Sequence, residues 1–277
     1  MKIQVNGITL HIFQKPATRN PRSAILLFLH YFGGSSRAWS GVIDQLANHY
    51  HCIAFDLRGF GNSDAPDTGY AMSEMADDVA ELIRSLNVER YHLIGHSMGG
   101  KIALTFAARQ PTGLLSLVLL APSPPTPEPM DDSERTRLLS SHGNRAAATE
   151  TARKIVARPL SPQADEQIIE DTLRTSRPAW RAWLEHGSRE DISVLMPKII
   201  VPVLVAVGAA DEVLPADLLE REVVQRISGA RLAVVPGTVG HLLPLEAPGA
   251  TAKLIRESLT DSPLSAPRPL STRTRRA

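Results

Sequence analysis

The chain has few of the features that mark secreted, disulfide-stabilised or membrane-bound proteins. Its 277 residues include one cysteine, Cys52, so no internal disulfide can form. Cys52 lies in an apolar stretch, where a buried and unreactive thiol is expected. No apolar run reaches the length of a membrane span, and the first residues lack the apolar run of a signal peptide. The sequence therefore predicts a cytoplasmic protein that does not bind membranes.

The chain also has little excess charge of either sign. Its formal net charge is +1 at pH 7, which gives no electrostatic basis for binding nucleic acid. Residues 261–277 carry four arginines and one aspartate, a net of +3, so the preceding 260 residues sum to −2. This last segment is also rich in proline, serine and threonine. It predicts a disordered basic tail, with a basic arm for an acidic partner as the alternative.

The apolar residues, 43% of the chain, form a regular series of short runs. Two alternating stretches flank Asn6 and Gly7, a strong signal for an antiparallel hairpin. Further runs at 24–29, 52–55 and 91–94, and later ones up to residue 235, alternate with helical patterns. This rhythm predicts an α/β fold, with a mostly parallel sheet, helices on both faces and an N-terminal antiparallel hairpin.

The rhythm is interrupted after the sixth predicted strand, residues 115–120. Five prolines between 122 and 129 exclude regular structure there, and the following 60 or so residues read as polar helices without strands. Strand signals resume at residue 203. We therefore predict a core made of residues 1–122 and 197–260, with residues 123–196 inserted as a helical cap.

A Gly-His-Ser-Met-Gly sequence at residues 95–99 carries the clearest chemical signal. An apolar strand precedes it and a good helix-forming stretch follows it, which is the context of a nucleophile elbow. Glycines on either side of Ser97 are needed where a Cβ would collide with the neighbouring strand or helix. Ser97 is thus the candidate nucleophile; the alternative is an ordinary serine in a glycine-rich turn.

A serine hydroxyl needs a base, and the base needs a group that orients it. In parallel sheets such groups collect at the carboxyl ends of strands. Asp211 follows the predicted strand at 203–207, and His241 follows the one at 232–235. The order Ser97, Asp211, His241 is the order that this type of elbow requires.

Two of these assignments have local competitors. Glu212 is the neighbour of Asp211, and an acid after the strand at 115–120 could also serve, but residues 121–127 contain none. Of the nine histidines, only His241 lies on a loop after the last strand; its alternative is a solvated loop histidine. The ring of His30 is expected to bond to loop backbone instead.

The reaction also needs donors for a developing oxyanion and walls for a substrate pocket. The backbone N–H of Met98 is one predicted donor, and that of Phe32, in the loop after the third strand, is the other. Trp180 and Trp183 are three residues apart in the predicted cap. They either line the pocket or anchor the cap to the core. Tyr31 and Val213 complete the set of predicted pocket residues.

These motifs together resemble the α/β-hydrolase superfamily, in particular its capped haloperoxidase- and esterase-like serine hydrolases. The resemblance extends over residues 1–122 and 197–260, and its matching stretches lie at 30–34, 56–64, 95–100, 208–215 and 240–248. It implies that the loop at 56–64 is structural, with Asp56 and Arg58 as an internal ion pair. The family usually has glycine where this chain has Tyr31, which puts the donor role of Phe32 in question.

The resemblance implies a serine hydrolase for a small carboxylic ester, lactone or thioester, without metal or organic cofactor. Epoxide hydrolases and haloalkane dehalogenases of the family use aspartate at the elbow, so Ser97 argues against both. Three alternatives remain: a carbon–carbon bond hydrolase of a diketone, a cofactor-free haloperoxidase- or dioxygenase-like enzyme, and a binding protein without catalysis. The sequence does not predict an oligomeric state.

Overall fold

The computed structural model describes residues 1–19 and 24–260. The predicted disordered tail, residues 261–277, lies outside the described residues. The described residues form one eight-stranded sheet, and helices pack against it. The strands are β1 (Lys2–Val5), β2 (Ile8–Lys15), β3 (Ile25–Leu29), β4 (His51–Phe55), β5 (Tyr91–His96), β6 (Leu114–Leu120), β7 (Val203–Gly208) and β8 (Arg231–Val235).

The strand order in the sheet is β1-β2-β4-β3-β5-β6-β7-β8. β1 pairs with β2, and β2 with β4, in antiparallel fashion, whereas all later pairs are parallel. The parallel strands are apolar on both sides, because helices cover both faces. The predicted mostly parallel sheet with its N-terminal hairpin is confirmed.

The sheet separates two apolar layers, one on each of its faces. Alternate residues of β3 show the division: Leu27 and Leu29 pack into one layer, and Leu26 and Phe28 into the other. Helices α2 (Met72–Ser85), α3 (Met98–Ala107) and α8 (Ala216–Glu222) cover the first face, and α1 (Ser40–Leu46) and α10 (Pro248–Thr260) the second. The loops that follow the parallel strands therefore share one edge of the sheet.

Four helices lie between β6 and β7 in the chain, and we call them the inserted helices. Hydrogen bonds and apolar contacts join them to the sheet edge. Asp171 accepts from Ser35 Oγ at 2.8 Å and from Arg37 Nη2 at 2.6 Å, and Ile168 packs with Tyr31. The inserted helices are α4 (Asp132–Ser140), α5 (Arg145–Lys154), α6 (Pro162–Arg174) and α7 (Arg177–Glu185). Outside this group, a short helix α9 (Leu243–Glu246) precedes α10.

One predicted contact is wrong. Asp56 and Arg58 do not pair with each other: Arg58 binds Asp78 on α2, with Nε 2.5 Å from Oδ2. Asp56 instead accepts the backbone N–H groups of Ser36 and Asn62. Residues two apart in this turn point to different partners, and α2 supplies the carboxylate for the guanidinium. The inference that this loop is structural does not depend on the pair.

Candidate active site

Ser97 occupies a strained turn between β5 and α3. Its backbone has φ 52° and ψ −117°, a combination that residues other than glycine rarely adopt. A Cβ on Gly95 would lie 2.5 Å from the carbonyl oxygen of Gly99, and one on Gly99 would lie 2.6 Å from that of Leu29. Both glycines are therefore required by close contacts, as the elbow pattern predicts. The turn places the serine hydroxyl at the N-terminus of α3.

The three candidate side chains meet at this sheet edge. His241 Nε2 lies 3.0 Å from Ser97 Oγ, and His241 Nδ1 lies 2.9 Å from Asp211 Oδ2. When Nδ1 carries the proton, the ring donates to Asp211 and Nε2 is free to accept from the serine hydroxyl. The side chains of His241 and Asp211 are 6% and 0% exposed, so water competes little for these hydrogen bonds.

Asp211 is held so that its carboxylate faces His241. Its other oxygen, Oδ1, accepts the backbone N–H groups of Val213 at 2.9 Å and Leu214 at 3.0 Å. Burial raises the pKa of Asp211, but His241 and these two donors outweigh it and lower the pKa overall. Asp211 is thus kept as an anion beside the imidazole. Its competitor Glu212 is exposed and lines the mouth of the adjacent cavity.

A buried carboxylate that the sequence reasoning missed braces the loop of His241. Glu246, on α9, accepts the backbone N–H groups of Gly240 at 2.9 Å and Leu242 at 3.0 Å. It also accepts the N–H of Ala157, just after α5, at 2.9 Å. The residues on both sides of His241 are therefore tied to one side chain. Glu246 is completely buried, so these three donors compensate for its desolvation.

His96, the neighbour of the serine, also contacts this loop. Its Nε2 donates to the backbone carbonyl of His241 at 2.8 Å, and the two rings lie 5.4 Å apart. Burial, together with the charge that His241 can carry, lowers the pKa of His96 to about 3. His96 therefore stays neutral and supports the backbone of His241. The ring of His30 bonds to loop backbone, as expected from the sequence: its Nδ1 donates to the carbonyl of Tyr31 at 2.8 Å.

The two predicted oxyanion donors belong to different segments of the sheet edge. Met98 is the first residue of α3, and its side chain packs into the core. Phe32 lies in the loop after β3, and its ring stacks on Trp180 with centroids 4.6 Å apart. The hydrogen bonds formed within the described residues include none donated by either backbone N–H. Both groups are therefore available to another acceptor, and their oxyanion role stays a prediction.

A cavity of about 340 Å³ opens beside Ser97 and His241, between the sheet edge and the inserted helices. All four predicted pocket residues line it: Tyr31, Trp180, Trp183 and Val213. The two tryptophans are each 4% exposed and belong to the main apolar cluster, so they also join the inserted helices to the core. Both interpretations of the tryptophans therefore fit their positions.

The cavity also contains an acid that the sequence reasoning missed. Glu128 lies in the proline-rich segment after β6, one residue beyond the stretch in which an acid was sought, and it faces the cavity. Within residues 1–19 and 24–260, no group of three or more histidine, cysteine or acidic side chains is arranged to hold a metal ion. In the same part of the chain, no helix is long and apolar enough to cross a membrane.

Comparison with known proteins identifies the fold family of this chain. A profile of the α/β hydrolase fold matches residues 24–154. The fluoroacetate dehalogenase of a Burkholderia species is 30% identical over 269 residues, which cover 86% of this chain and 87% of that protein. The chain belongs to the α/β hydrolase family.

Other relatives match over different shares of their length. Epoxide hydrolase 3 of Xenopus tropicalis is 37% identical over 127 residues, 45% of this chain but only 34% of that protein. Among solved structures, a malate-bound esterase from Thermogutta terrifontis superposes with a TM-score of 0.78 and 27% identity, covering 94% of this chain and 97% of that one. Members of this family thus include dehalogenases, epoxide hydrolases and esterases.

Proposed function

We propose that this α/β hydrolase is a serine hydrolase that cleaves a small carboxylic ester, a group that here includes lactones and thioesters. The observation that supports this most is the chain of hydrogen bonds from Ser97 through His241 to Asp211, at the wall of an apolar cavity. A serine beside a neutral imidazole, with a carboxylate behind it, is the arrangement that activates a hydroxyl for attack on a carbonyl.

In the proposed reaction, Ser97 Oγ attacks the ester carbonyl while its proton passes to His241 Nε2. Asp211 stabilises the imidazolium that forms. The backbone N–H groups of Phe32 and Met98 donate to the oxyanion. The tetrahedral intermediate then expels the alcohol, which takes the proton from His241, and leaves an acyl-enzyme. Water, deprotonated by His241, attacks the acyl carbonyl and releases the acid and the free serine.

The residue at position 97 distinguishes this proposal from the chemistry named for two relatives. A carboxylate that displaces a halide or opens an epoxide forms an ester, which water can hydrolyse. A serine in the same substitution would form an ether, which the site has no means of hydrolysing. The similarity to a fluoroacetate dehalogenase and to an epoxide hydrolase therefore supports the fold and the general hydrolase chemistry, whereas Ser97 favours acyl transfer.

Covalent labelling with a fluorophosphonate tests the nucleophile. We expect the wild type to be labelled at Ser97, and Ser97→Ala to lose both the label and ester turnover, by a factor on the order of 10⁴ or more in kcat. The fold should persist, because only one hydroxyl is removed. Normal esterase activity in Ser97→Ala would contradict the proposal.

A substrate panel separates the ester reaction from the carbon–carbon alternative. p-Nitrophenyl esters should be hydrolysed, and vinylogous diketones should not be cleaved at a comparable rate. The reverse preference, with labelling of Ser97 retained, would keep the nucleophile and change the reaction class to carbon–carbon bond hydrolysis.

A further inference from the structure

Glu128 is an ionisable group of the cavity that the proposed reaction does not use. It lines the same cavity as Ser97, His241 and Trp183. Its Oε2 atom is buried and forms no well-aligned hydrogen bond within the described residues, and the nearby hydroxyl of Ser123 is likewise without one. Its backbone is fixed, since the N–H of Glu128 donates to Ser188 O at 2.7 Å. A buried carboxyl oxygen without a partner is costly, and that cost is removed when a ligand supplies a donor.

The nearby cations are engaged with other groups. Lys101 is fully buried and donates through Nζ to the carbonyl of Thr126 at 3.3 Å. Arg135 donates through Nη1 to the carbonyl of Leu184 and to Ser188 Oγ, and its Nε is buried without a hydrogen-bond partner among the described residues. Burial raises the pKa of Glu128, although the charges of Lys101, His241 and Arg135 and the hydroxyl of Ser123 oppose the change. Neither cation forms the direct contact that would satisfy this carboxyl group.

The rest of the cavity wall offers no counter-ion for an anionic substrate. Apart from Glu128, the acids Asp131, Glu134 and Glu212 line the cavity, against one lysine, Lys154. Lys154 Nζ already lies 2.8 Å from Glu150 Oε1. A carboxylate on the substrate would therefore be desolvated beside other acids and without a counter-ion, which disfavours its binding.

The other acids differ from Glu128 because their carboxylates are already bound. Glu134 accepts from Arg137 Nε at 2.7 Å and from Nη2 at 2.6 Å. Asp131 caps the N-terminus of α4 by accepting the N–H of Glu134 at 2.8 Å. Glu212 is exposed at the mouth of the cavity. Glu128 is thus the carboxyl group of the cavity that is best placed to form a hydrogen bond with a substrate.

We propose that Glu128 determines the specificity of this cavity, and that the ester it accepts carries a hydrogen-bond donor such as an amide N–H or a hydroxyl, and no carboxylate. This inference rests on the proposed ester hydrolysis. The apolar walls hold the carbon chain of the substrate, and Glu128 binds the polar group at its end. A site with a buried polar group discriminates strongly against analogues that leave that group unpaired.

The test uses three p-nitrophenyl esters of equal shape, whose acyl chains end in a carboxamide (adipamate), a carboxylate (adipate monoester) or an isopropyl group (6-methylheptanoate). For the wild type, we expect kcat/KM to be at least about tenfold higher for the carboxamide than for the carboxylate. Glu128→Gln should raise kcat/KM for the carboxylate ester and bring that ratio to within about threefold. Glu128→Leu should lower kcat/KM for the carboxamide below that for the isopropyl ester.

Glu166→Gln is the control, because it removes a carboxylate that lies outside the cavity lining and pairs with Arg145 at the surface of the inserted helices. It should leave the carboxamide-to-carboxylate ratio as in the wild type. Fluorophosphonate labelling and the melting temperature verify that each variant is folded. The inference is overturned if the wild type prefers the carboxylate ester, or if the ratio does not respond to either change at Glu128.

A binding measurement separates this inference from the proposed function. Methyl adipamate and monomethyl adipate are titrated into Ser97→Ala, and binding is followed by the fluorescence of Trp180 and Trp183, which line the cavity. Tighter binding of the amide that disappears in Ser97→Ala/Glu128→Leu supports Glu128 even if no ester is hydrolysed. Equal binding of both ligands, in an enzyme that does hydrolyse esters, contradicts Glu128 alone.

Discussion

The sheet edge and the inserted helices form opposite walls of one cavity, but different interactions hold them in place. At the sheet edge, backbone hydrogen bonds fix the turn of Ser97, and buried carboxylates that accept backbone N–H groups fix the loops of Asp211 and His241. The inserted helices are joined to this edge mainly by side chains, such as the ion pair of Arg37 with Asp171. We therefore expect the edge to determine whether a reaction occurs, and the helices to determine which substrate reacts.

Changing the acid of the sheet edge should have the largest effect on the reaction. Asp211→Asn keeps the shape but removes the charge, and it can hold the imidazole in the wrong tautomer. We expect kcat to fall by roughly 10³–10⁴. Ester turnover, with fluorophosphonate labelling as a second readout, measures this loss.

The adjacent Glu212→Gln provides the matched control, because it makes the same chemical change in an exposed side chain. It should reduce kcat by less than about tenfold. If Glu212→Gln is the impaired variant, the acid has been assigned to the wrong neighbour. If both variants keep nearly full activity, the acid comes from another part of the fold.

The loop of His241 offers a test of how strongly bracing matters at the sheet edge. In Glu246→Gln, an amide NH₂ would face backbone N–H groups that the carboxylate now accepts. We expect the free energy of unfolding to fall by about 1–3 kcal/mol. A displaced His241 should also lower kcat by about 10–100-fold, with KM little changed.

Glu166→Gln is the control for this change, since Glu166 forms an ion pair with Arg145 at the surface of the inserted helices. Denaturant unfolding and steady-state kinetics should both resemble the wild type. A Glu246→Gln enzyme that is less stable but has wild-type kcat would limit Glu246 to a purely structural role.

A smaller effect is expected from the opposite wall. Trp183→Ala enlarges the cavity near Phe32, and it should shift the preference among p-nitrophenyl esters of different chain length by about tenfold. The pH profile of kcat should keep its shape, because the proposed acid and base are unchanged. An equal loss for every substrate, together with a lower melting temperature, would instead identify Trp183 as an anchor of the inserted helices.

Acidification should destabilise the fold through a buried histidine of the sheet. Burial, with a contribution from Arg90, lowers the pKa of His92 to about 4. Between the ordinary value of about 6.5 and this pKa, the unfolded chain binds a proton that the folded chain does not, so stability falls as pH decreases. His92→Gln should therefore reduce the slope of unfolding free energy against pH, between pH 5 and 6, by about 1 kcal/mol per unit.

The control for this change is His142→Gln, which removes a half-buried histidine near the inserted helices whose Nε2 donates to the carbonyl of Thr175. Denaturant titrations at several pH values give the slopes. An equal reduction in both variants would mean that the number of histidines, rather than burial in the sheet, sets the pH dependence.

Local patterns were sufficient for much of the fold and for the set of candidate site residues. The strand rhythm predicted the sheet, and the glycines at 95 and 99 predicted the elbow, because both patterns are contained in a few consecutive residues, although the contact that requires Gly99 is with Leu29 on another strand. The wrong pairing of Asp56 with Arg58 shows the limit of such reasoning. The partner of Arg58 is Asp78, twenty residues away, and proximity in sequence did not identify it.

The sequence by itself determined that Ser97, Asp211 and His241 follow parallel strands, and hence that they share one edge of the sheet. Only the tertiary structure decided their distances, because His241 is 30 residues from Asp211 and 144 from Ser97. The same holds for Glu128 and Glu246. Their roles depend on which backbone groups, cations and helices surround them after folding, and packing across the chain sets those neighbours.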